Sequence, residues 1–499
     1  MRARSFWVIT TLILLVGFGF RVWDLEGTSL WGDEKLTELR VEGSLKHTYY
    51  NTLNTGNHMP LYFFALRLFP TGSNLLLRFP SVMAGMLGIA LTIFLVRKLY
   101  QQPALALWAG ALLACNPLHV WYSRMARPYA LLYALAVLVS YCFLMLLRKP
   151  RSRPLWIVFT LASAAAYGTH YFGLMLAFAQ YLAFMFLLRG RRTFFRRWVI
   201  SQAIASIPVL LWLVALSTRE TVTIGIGWIP TPGLDDVLIT LWNLTLGYDS
   251  VIPWLLAPGL IAVAVGLTLG LYHALRERAR QPANLYWFWL LVGPLAVVFV
   301  LSRYQPIYID RYLIEIMPAA LLLMLVGWQR LPRKRWLLAG LVVASGALNM
   351  LFIFAAGDHE KESWDEAAAF VARHALPGDT FLIEHTSVLD QFAQYYGVAE
   401  LKEAGVFGVT PADKHPQPLL TPGGPVRRVW ALYRTNTIDA HRALVLAHSD
   451  PFAPGSSPLA DWLVPRQDRV ILQQRFNGIT LLLVETEGNQ LLLIEEEVE

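Results

Sequence analysis

Residues 104–153 read ALALWAGALLACNPLHVWYSRMARPYALLYALAVLVSYCFLMLLRKPRSR. Two apolar runs, 104–122 and 128–147, flank a short polar link, and Arg148, Lys149, Arg151 and Arg153 follow the second. A helix needs about 20 mainly apolar residues to cross ~30 Å of hydrocarbon. The stretch therefore predicts two membrane spans joined on one side, with a basic link on the other. Reading outward at the same length, further runs lie near 5–23, 79–97, 155–170, 171–188, 197–216, 251–272, 284–302, 312–328 and 336–355. That makes about eleven transmembrane helices. Composition agrees, since the 499 residues are 56% hydrophobic and 15% charged, against about a quarter charged in soluble domains. The first run has no small-residue cleavage site and reads as an uncleaved anchor.

Topology follows from charge. The links 1–6, 97–103, 148–153, 189–197, 273–282 and 329–335 hold twenty Lys or Arg and one acid, Glu277. The alternate links are longer and hold most of the acids. Basic residues stay on the cytoplasmic side, so the first set and the N-terminus are expected inside. Eleven crossings then put the C-terminal region outside. Cysteine labelling of the full chain tests this, with Gln101, Arg192 and Gln329 expected inside and Thr55, Gly225 and Ser457 outside. A cytoplasmic Ser457 would overturn the odd number of spans. The net charge of +8 comes from these short clusters, which excludes a nucleic-acid reading. Cys115 and Cys142 lie in or beside apolar runs and match no metal or redox spacing.

The external link 24–78 contains Met59–Pro70, too short to cross, which reads as an interfacial helix with Tyr62 and Phe63 at the lipid boundary. A second external link, 217–250, carries Gly, Pro, Trp228 and Trp242. After Gly357 the pattern changes. Glu360–Ala375 has helical periodicity, stopped by Pro377-Gly378-Asp379, and short β-like runs follow at Thr380–Glu384, Val429–Tyr433, Val470–Gln474 and Ile479–Glu485. Asn477-Gly478 between the last two is a hairpin turn signal, while the loops at Pro411–Pro425 and Pro451–Pro458 read as irregular. The division is thus a transmembrane domain, 1–357, and a small α/β domain, 358–499, expected outside the cytoplasm.

Ionisable groups collect on the expected external side, in five separate links, and converging loops are how rigid helices build a site. Trp31-Gly32-Asp33-Glu34-Lys35 follows the first span; the adjacent carboxylates can supply a general base or form a solvated acid pair. His58 can bond a phosphate or sugar hydroxyl or cap a helix, and Arg78 can bind an anion or snorkel to the surface. Arg124 and Arg127, three apart, can share a helical face and clamp one phosphate with their guanidinium forks; Tyr129 follows them. His170-Tyr171 and Asp310-Arg311-Tyr312 open other spans, as ligands, belt aromatics or a local ion pair. Glu315, one turn further on, is expected to pair with an arginine or line a cavity.

In order, Arg21, Leu30-Trp31-Gly32-Asp33-Glu34, His58-Met59-Pro60-Leu61-Tyr62, Leu77-Arg78-Phe79-Pro80-Ser81, Asn116–Ser123, Thr169-His170-Tyr171-Phe172, Asp310-Arg311-Tyr312-Leu313 and Glu362–Ala368 resemble the GT-C superfamily of lipid-dependent glycosyltransferases. The branch is the bacterial family 39-like one, related to protein O-mannosyltransferases and the lipid A aminoarabinose transferase. The resemblance spans about residues 1–385. It implies interfacial helices after the first span, a polyprenyl-phosphate-linked sugar as donor and a lipid, glycan or protein hydroxyl as acceptor. It also implies a multi-pass protein of the plasma (inner) membrane, with Asp33 as the catalytic acid and Glu34 as the second acid of its motif. The family's Tyr-Ser-Gln-Glu-Ala-Arg-x-Tyr is here Tyr122-Ser123-Arg124-Met125-Ala126-Arg127-Pro128-Tyr129. Losing that Glu weakens the case for a divalent metal, and none is required by the expected scheme. In that scheme Asp33 takes the acceptor proton, cations meet the phosphate, and the anomeric centre inverts. A polymerase or ligase of lipid-linked polysaccharide is a nearer rival than a transporter, which would place its charges near mid-membrane, or a receptor.

Overall fold

The computed structural model describes residues 3–56, 58–187, 192–219, 229–247, 256–277, 281–331, 335–355, 362–383, 386–408, 417–420, 428–434, 436–438, 445–448, 452, 458–476 and 478–486. Trp228, Gly357 and Asn477 lie outside them. The chain divides into two compact units. The first comprises Met1–Leu25, Thr37–Ala356 and Ala440–Ala443, the second Glu26–Leu36, Gly357–Asp439 and Leu444–Glu499.

The first unit is helical. Its helices are α1 (Ala3–Val22), α2 (Gly32–Val41, entered from the second unit), α3 (Leu45–Thr55), α4 (Leu61–Leu66), α5 (Asn74–Tyr100), α6 (Pro103–Ala114), α7 (Pro117–Ser123) and α8 (Tyr129–Arg148). They continue as α9 (Arg153–Thr169), α10 (Leu174–Leu187), α11 (Arg192–Ser217), α12 (Leu234–Thr245), α13 (Ala257–Arg276), α14 (Pro282–Leu301), α15 (Met317–Trp328) and α16 (Arg335–Ala355). Among the described residues eight helices are long and apolar enough to cross a membrane. The bent pair α6 and α7, which meet at 62°, makes a ninth span if the two count as one. The other two expected spans are α9 and α10, which have 17 and 14 residues. At 1.5 Å per residue each falls short of the hydrocarbon thickness.

Every residue of α15 is buried, which makes it a central helix of this unit. It packs on α13 through glycine. A Cβ on Gly327 would lie 2.0 Å from the Gly266 carbonyl oxygen, and one on Gly270 would lie 2.1 Å from that of Leu323. Only small residues let two backbones approach so closely.

The link 24–78 holds three short helices, not one. Met59–Pro70 contributes only α4, and the two aromatic residues expected at the lipid boundary are not there: Tyr62 and Phe63 are buried in protein, and the Tyr62 hydroxyl bonds Ser81 Oγ at 2.8 Å. A six-residue helix has too little apolar face to lie in lipid on its own, so it packs on α9 and the start of α5 instead.

The second unit is a mixed sheet covered on both faces. The strands are β1 (Asp379–Ile383), β2 (Val406–Gly408), β3 (Gln417–Leu420), β4 (Arg428–Arg434), β5 (Asn436–Ile438), β6 (Val445–His448), β7 (Val470–Phe476) and β8 (Ile479–Glu485). Six form one sheet in the order β3-β2-β1-β4-β8-β7, with β1 parallel to β2 and β4, and β5 pairs with β6. Side chains alternate across it. Phe381, Trp430 and Leu481 join Trp364 and Phe392 on one face, while Leu382, Val429 and Leu482 join Leu459 and Trp462 on the other. The β7–β8 hairpin closes with Phe476 opposite Ile479 and with Gly478 at φ +71°, the left-handed region that glycine tolerates.

Asp379 anchors the start of β1, an interior strand of this sheet. Its two carboxylate oxygens accept from Arg428 at 2.7 and 2.6 Å, and Oδ2 also accepts from Trp430 Nε1 at 2.9 Å. Removing the carboxylate strands a guanidinium and a buried indole N–H. Asp379→Ala is therefore expected to cost about 2–3 kcal/mol, read as a lower melting temperature of the purified full chain.

The segment Glu26–Leu36 belongs to this second unit by contact. Ser29 Oγ donates to Asp365 Oδ1 at 2.8 Å across 336 residues of chain, and the Leu30 N–H donates to the Tyr395 hydroxyl at 3.1 Å. The Trp31-Gly32-Asp33-Glu34 motif thus enters α2 directly from a strap held by the sheet unit.

Candidate functional site

The residues of the first unit that sequence reading singled out fall into two groups, one gathered around His58 and one bound to helix ends. His58 is 8% exposed and accepts a hydrogen bond at Nε2 from Arg127 Nη2 at 3.4 Å. Arginine only donates, so the imidazole is neutral and its proton sits on Nδ1. That Nδ1 is buried and has no hydrogen-bond partner among the described residues. Burial is the largest force holding the His58 pKa well below its ordinary value, followed by the charges of Arg127 and Arg40, with His170 and Arg311 adding to it. Charge or imidazole on four separate segments thus acts on His58.

Each side chain is locked by its own segment. Arg127 is 2% exposed; Nη1 reaches Thr37 Oγ1 at 3.5 Å, and the guanidinium lies 5.9 Å from the Tyr129 ring centroid. Its own carbonyl accepts from Ser81 Oγ, which ties the turn before α8 to α5. Arg40 stacks over Phe63 and donates to Thr55 Oγ1 at 3.3 Å. His170 ends α9, where Nδ1 accepts from the Phe172 N–H at 3.2 Å. Its ring lies 5.1 Å from Tyr312, and Tyr129 stacks on Tyr312 at 6.3 Å. Arg311 is 3% exposed in the 3-10 turn Asp310–Ile316, whose Asp310 accepts from the Arg311 N–H and from Asn243 Nδ2, each at 2.6 Å. Buried arginines over aromatic walls supply guanidinium donors and planar faces.

The second group caps helix ends. Arg124 Nη1 donates to the carbonyls of Phe20, in the last turn of α1, and of Trp23, just after it, and its guanidinium lies over Phe354. Arg78 Nη1 donates to the Leu25 carbonyl at 2.8 Å. The expected shared helical face of Arg124 and Arg127 does not form. The helix α7 stops at Ser123, and residues 124–127 are a bend. Pro128 disfavours the α conformation at Arg127, so the two guanidinium groups leave the chain for different partners. Glu315 pairs with no arginine among the described residues; it is wholly buried, and neither carboxyl oxygen has a hydrogen-bond partner.

Arg21 explains the break between α6 and α7. Cys115-Asn116-Pro117 frees the carbonyls that end α6, because Pro117 has no N–H and Asn116 instead caps α7 through Oδ1 and the His119 N–H at 2.8 Å. Arg21, fully buried, donates to Leu113 O at 3.3 Å, Ala114 O at 3.2 Å and His119 Nδ1 at 2.7 Å. The bend carries the following turn, and with it Arg127.

In the second unit, Asp33 and Glu34 occupy the first turn of α2, where carboxylates are stabilised by the helix dipole. Glu34 is 1% exposed, whereas Asp33 and Lys35 are half-buried. Thr37 follows Asp33 by one turn of the same helix. Among the described residues no group of three or more His, Cys, Asp and Glu side chains is placed to hold a metal ion. Sequence reading missed Thr37 and Arg40, both inside a short polar helix whose 3.6-residue period was the available signal.

The profile of the family described as dolichyl-phosphate-mannose-protein mannosyltransferase matches residues 58–217, from His58 to the end of α11. Solved structures extend the likeness to nearly the whole chain. ArnT from Cupriavidus metallidurans in the apo state aligns with a TM-score of 0.57 at 15% identity, covering 97% of this chain and 98% of that one. The chain has the GT-C fold. The same ArnT bound to undecaprenyl phosphate aligns at 0.54 with 14% identity and the same coverage. The oligosaccharyltransferase of Archaeoglobus fulgidus aligns at 0.53 with 12% identity over 85% of this chain and 67% of its own. No curated protein matches the sequence. Within this GT-C chain, the cationic cluster draws most of its residues from the interval that the mannosyltransferase profile matches, with Arg40 and Arg311 outside it.

The neutral state of His58 sets a pH dependence. An unfolded histidine takes a proton near pH 6.5, whereas folded His58 does so only well below that. The unfolded state therefore binds more protons as pH falls below about 6.5, and native stability declines. His58→Gln is expected to make that decline shallower, measured by thermal melts of the full chain between about pH 7.5 and 5.

Proposed function

We propose that this GT-C protein is an inverting glycosyltransferase. It moves a sugar from a polyprenyl-phosphate donor to an acceptor hydroxyl on the outer side of the membrane. The observation that supports this most is the buried Arg127 guanidinium on His58 Nε2, with Arg40 against Phe63 beside the His58 ring and Arg311 buried over Tyr312. Undecaprenyl phosphate bound to a protein of the same fold supports the donor class. In the reaction the bond between the anomeric carbon and the phosphate oxygen breaks as the acceptor oxygen attacks from the opposite face. Polyprenyl phosphate leaves with the electron pair, and the acceptor proton passes to Asp33.

Arg127 and Arg311 are assigned to the donor phosphate, where charge grows in the transition state. Fixed donors in a dry site are the largest catalytic term for such charge. The Nδ1–H of His58 is a donor ready for a phosphate or sugar oxygen, and Tyr129, His170 and Tyr312 are assigned to the sugar face. Lys35 and Glu34 are assigned to the acceptor side of Asp33. Arg78 and Arg124, which hold backbone carbonyls, support the site from behind. Incubating the reconstituted chain with polyprenyl-phosphate sugars and following donor loss by mass spectrometry tests the reading, with product configuration read by NMR. A product that keeps the donor's anomeric configuration would exclude this single-displacement mechanism.

A further inference from the structure

At the far end of α5, about six turns and roughly 33 Å from Arg78, the spanning unit holds a polar cavity of about 390 Å³. Its walls include Tyr100, Arg148, Gln281, Asn284, Gln329 and Arg330, and no lining residue is acidic. That volume falls in the range of small-ligand sites. Asn284 is the informative residue, at 2% exposed. Trp287 Nε1 donates to the Tyr100 hydroxyl at 3.1 Å, and that hydroxyl donates to Asn284 Oδ1 at 2.8 Å. Indole N–H can only donate, so the Tyr100 hydroxyl keeps its own proton for an acceptor, which the Asn284 oxygen provides with its NH₂ turned away. The Nδ2 group has no hydrogen-bond partner among the described residues.

Other donors face the same space. Arg148, exposed, uses Nη2 to hold the Leu99 carbonyl at 3.0 Å, which leaves the rest of its fork open to a ligand. Gln281 and Asn284 bracket the start of the 20-residue helix α14, where Gln281 makes no side-chain cap. Pro282 has no N–H and the Asn284 N–H already donates to the Gln281 carbonyl at 3.0 Å, so the first turn contributes the positive end of the helix dipole rather than a row of free donors. Arg330 is already paired with Glu277 and contributes charge balance rather than a free fork.

We propose that this cavity is a second anion site, built for the phosphate of a monoester or diester and separate from the cluster around His58. Arg148 and the Asn284 amide bind the phosphate oxygens, and the N-terminus of α14 faces the charge. The source is an anionic phospholipid headgroup or a soluble phosphate compound, which share this chemistry. The site stands independently of the transferase reading, because no residue is common to both.

The test uses the full chain in phosphatidylcholine nanodiscs, titrated with inorganic phosphate at constant ionic strength. Asn284→Asp keeps the acceptor for Tyr100 and turns the donor nitrogen into an anionic oxygen; Arg148→Gln changes an exposed residue and leaves the core untouched. Each is expected to weaken a saturable phosphate-binding component at least about tenfold, as loss of a charge-assisted bond does. Arg127→Ala is expected to leave that component in place. In a second arm, nanodiscs carry phosphatidic acid, and native mass spectrometry counts lipid retained by the protein. Retention lost in Asn284→Asp identifies the lipid headgroup, and phosphate binding without retained lipid identifies a soluble source. If the wild type binds neither probe, or both variants bind as the wild type does, the site is refuted.

Discussion

Asp33→Asn is expected to lower sugar transfer by roughly 10²–10⁴-fold while leaving donor binding intact. The change keeps size and most hydrogen bonding and removes only basicity, so a structural role would spare activity. Single-turnover transfer and equilibrium donor binding, measured on the same preparation, separate the two. Glu34→Gln is expected to act less on the rate and more on acceptor affinity, because Glu34 is buried in the same helical turn. Wild-type activity in Asp33→Asn, toward a proven donor and acceptor, would move the base elsewhere. A transporter or receptor built on this fold would show no transfer to lose.

The second large effect is at Arg127. Removing a well-placed cation from developing charge costs about 10²–10³-fold in rate, and Arg127→Ala is expected to fall in that range. Arg127→Lys keeps the charge but loses the fork that now spans Thr37 and His58, so it is expected to recover only part of the activity. The loss should appear in kcat at saturating donor, and it should exceed the loss in Arg78→Lys, whose Nη1 holds the Leu25 carbonyl. Equal effects at the two positions would demote Arg127 to a scaffold residue.

The sequence spoke clearly wherever one physical quantity repeats along the chain. Apolar length located the long helices but counted the short α9 and α10 as full spans, the strand pattern located β1, β4, β7 and β8, and Gly478 marked the hairpin. Short polar helices were harder to read. The helices α2 and α3 have about three turns each and no continuous apolar stripe, so Thr37 and Arg40 passed as loop residues. The i, i+3 spacing of Arg124 and Arg127 suggested a shared face because spacing assumes a continuous helix. The break at Asn116-Pro117 and the proline at 128 end that assumption within one turn. The loss of an acid at Met125 was visible in the sequence; that Arg124 would turn back to the end of α1 was not.

By itself the sequence determined that this chain spans a membrane many times, that it ends in a small mixed α/β unit, and that arginines, histidines and carboxylates crowd particular links. Those properties are sums over local residues, and solvent transfer energies fix them without any fold. Only the tertiary structure decided which charged groups meet. It brought Arg127 to His58 and Arg124 to the end of α1, and it joined Ser29 to Asp365 across 336 residues. A buried polar group must find a partner or remain costly, and which partner lies within hydrogen-bond reach depends on the packing of helices far apart in sequence.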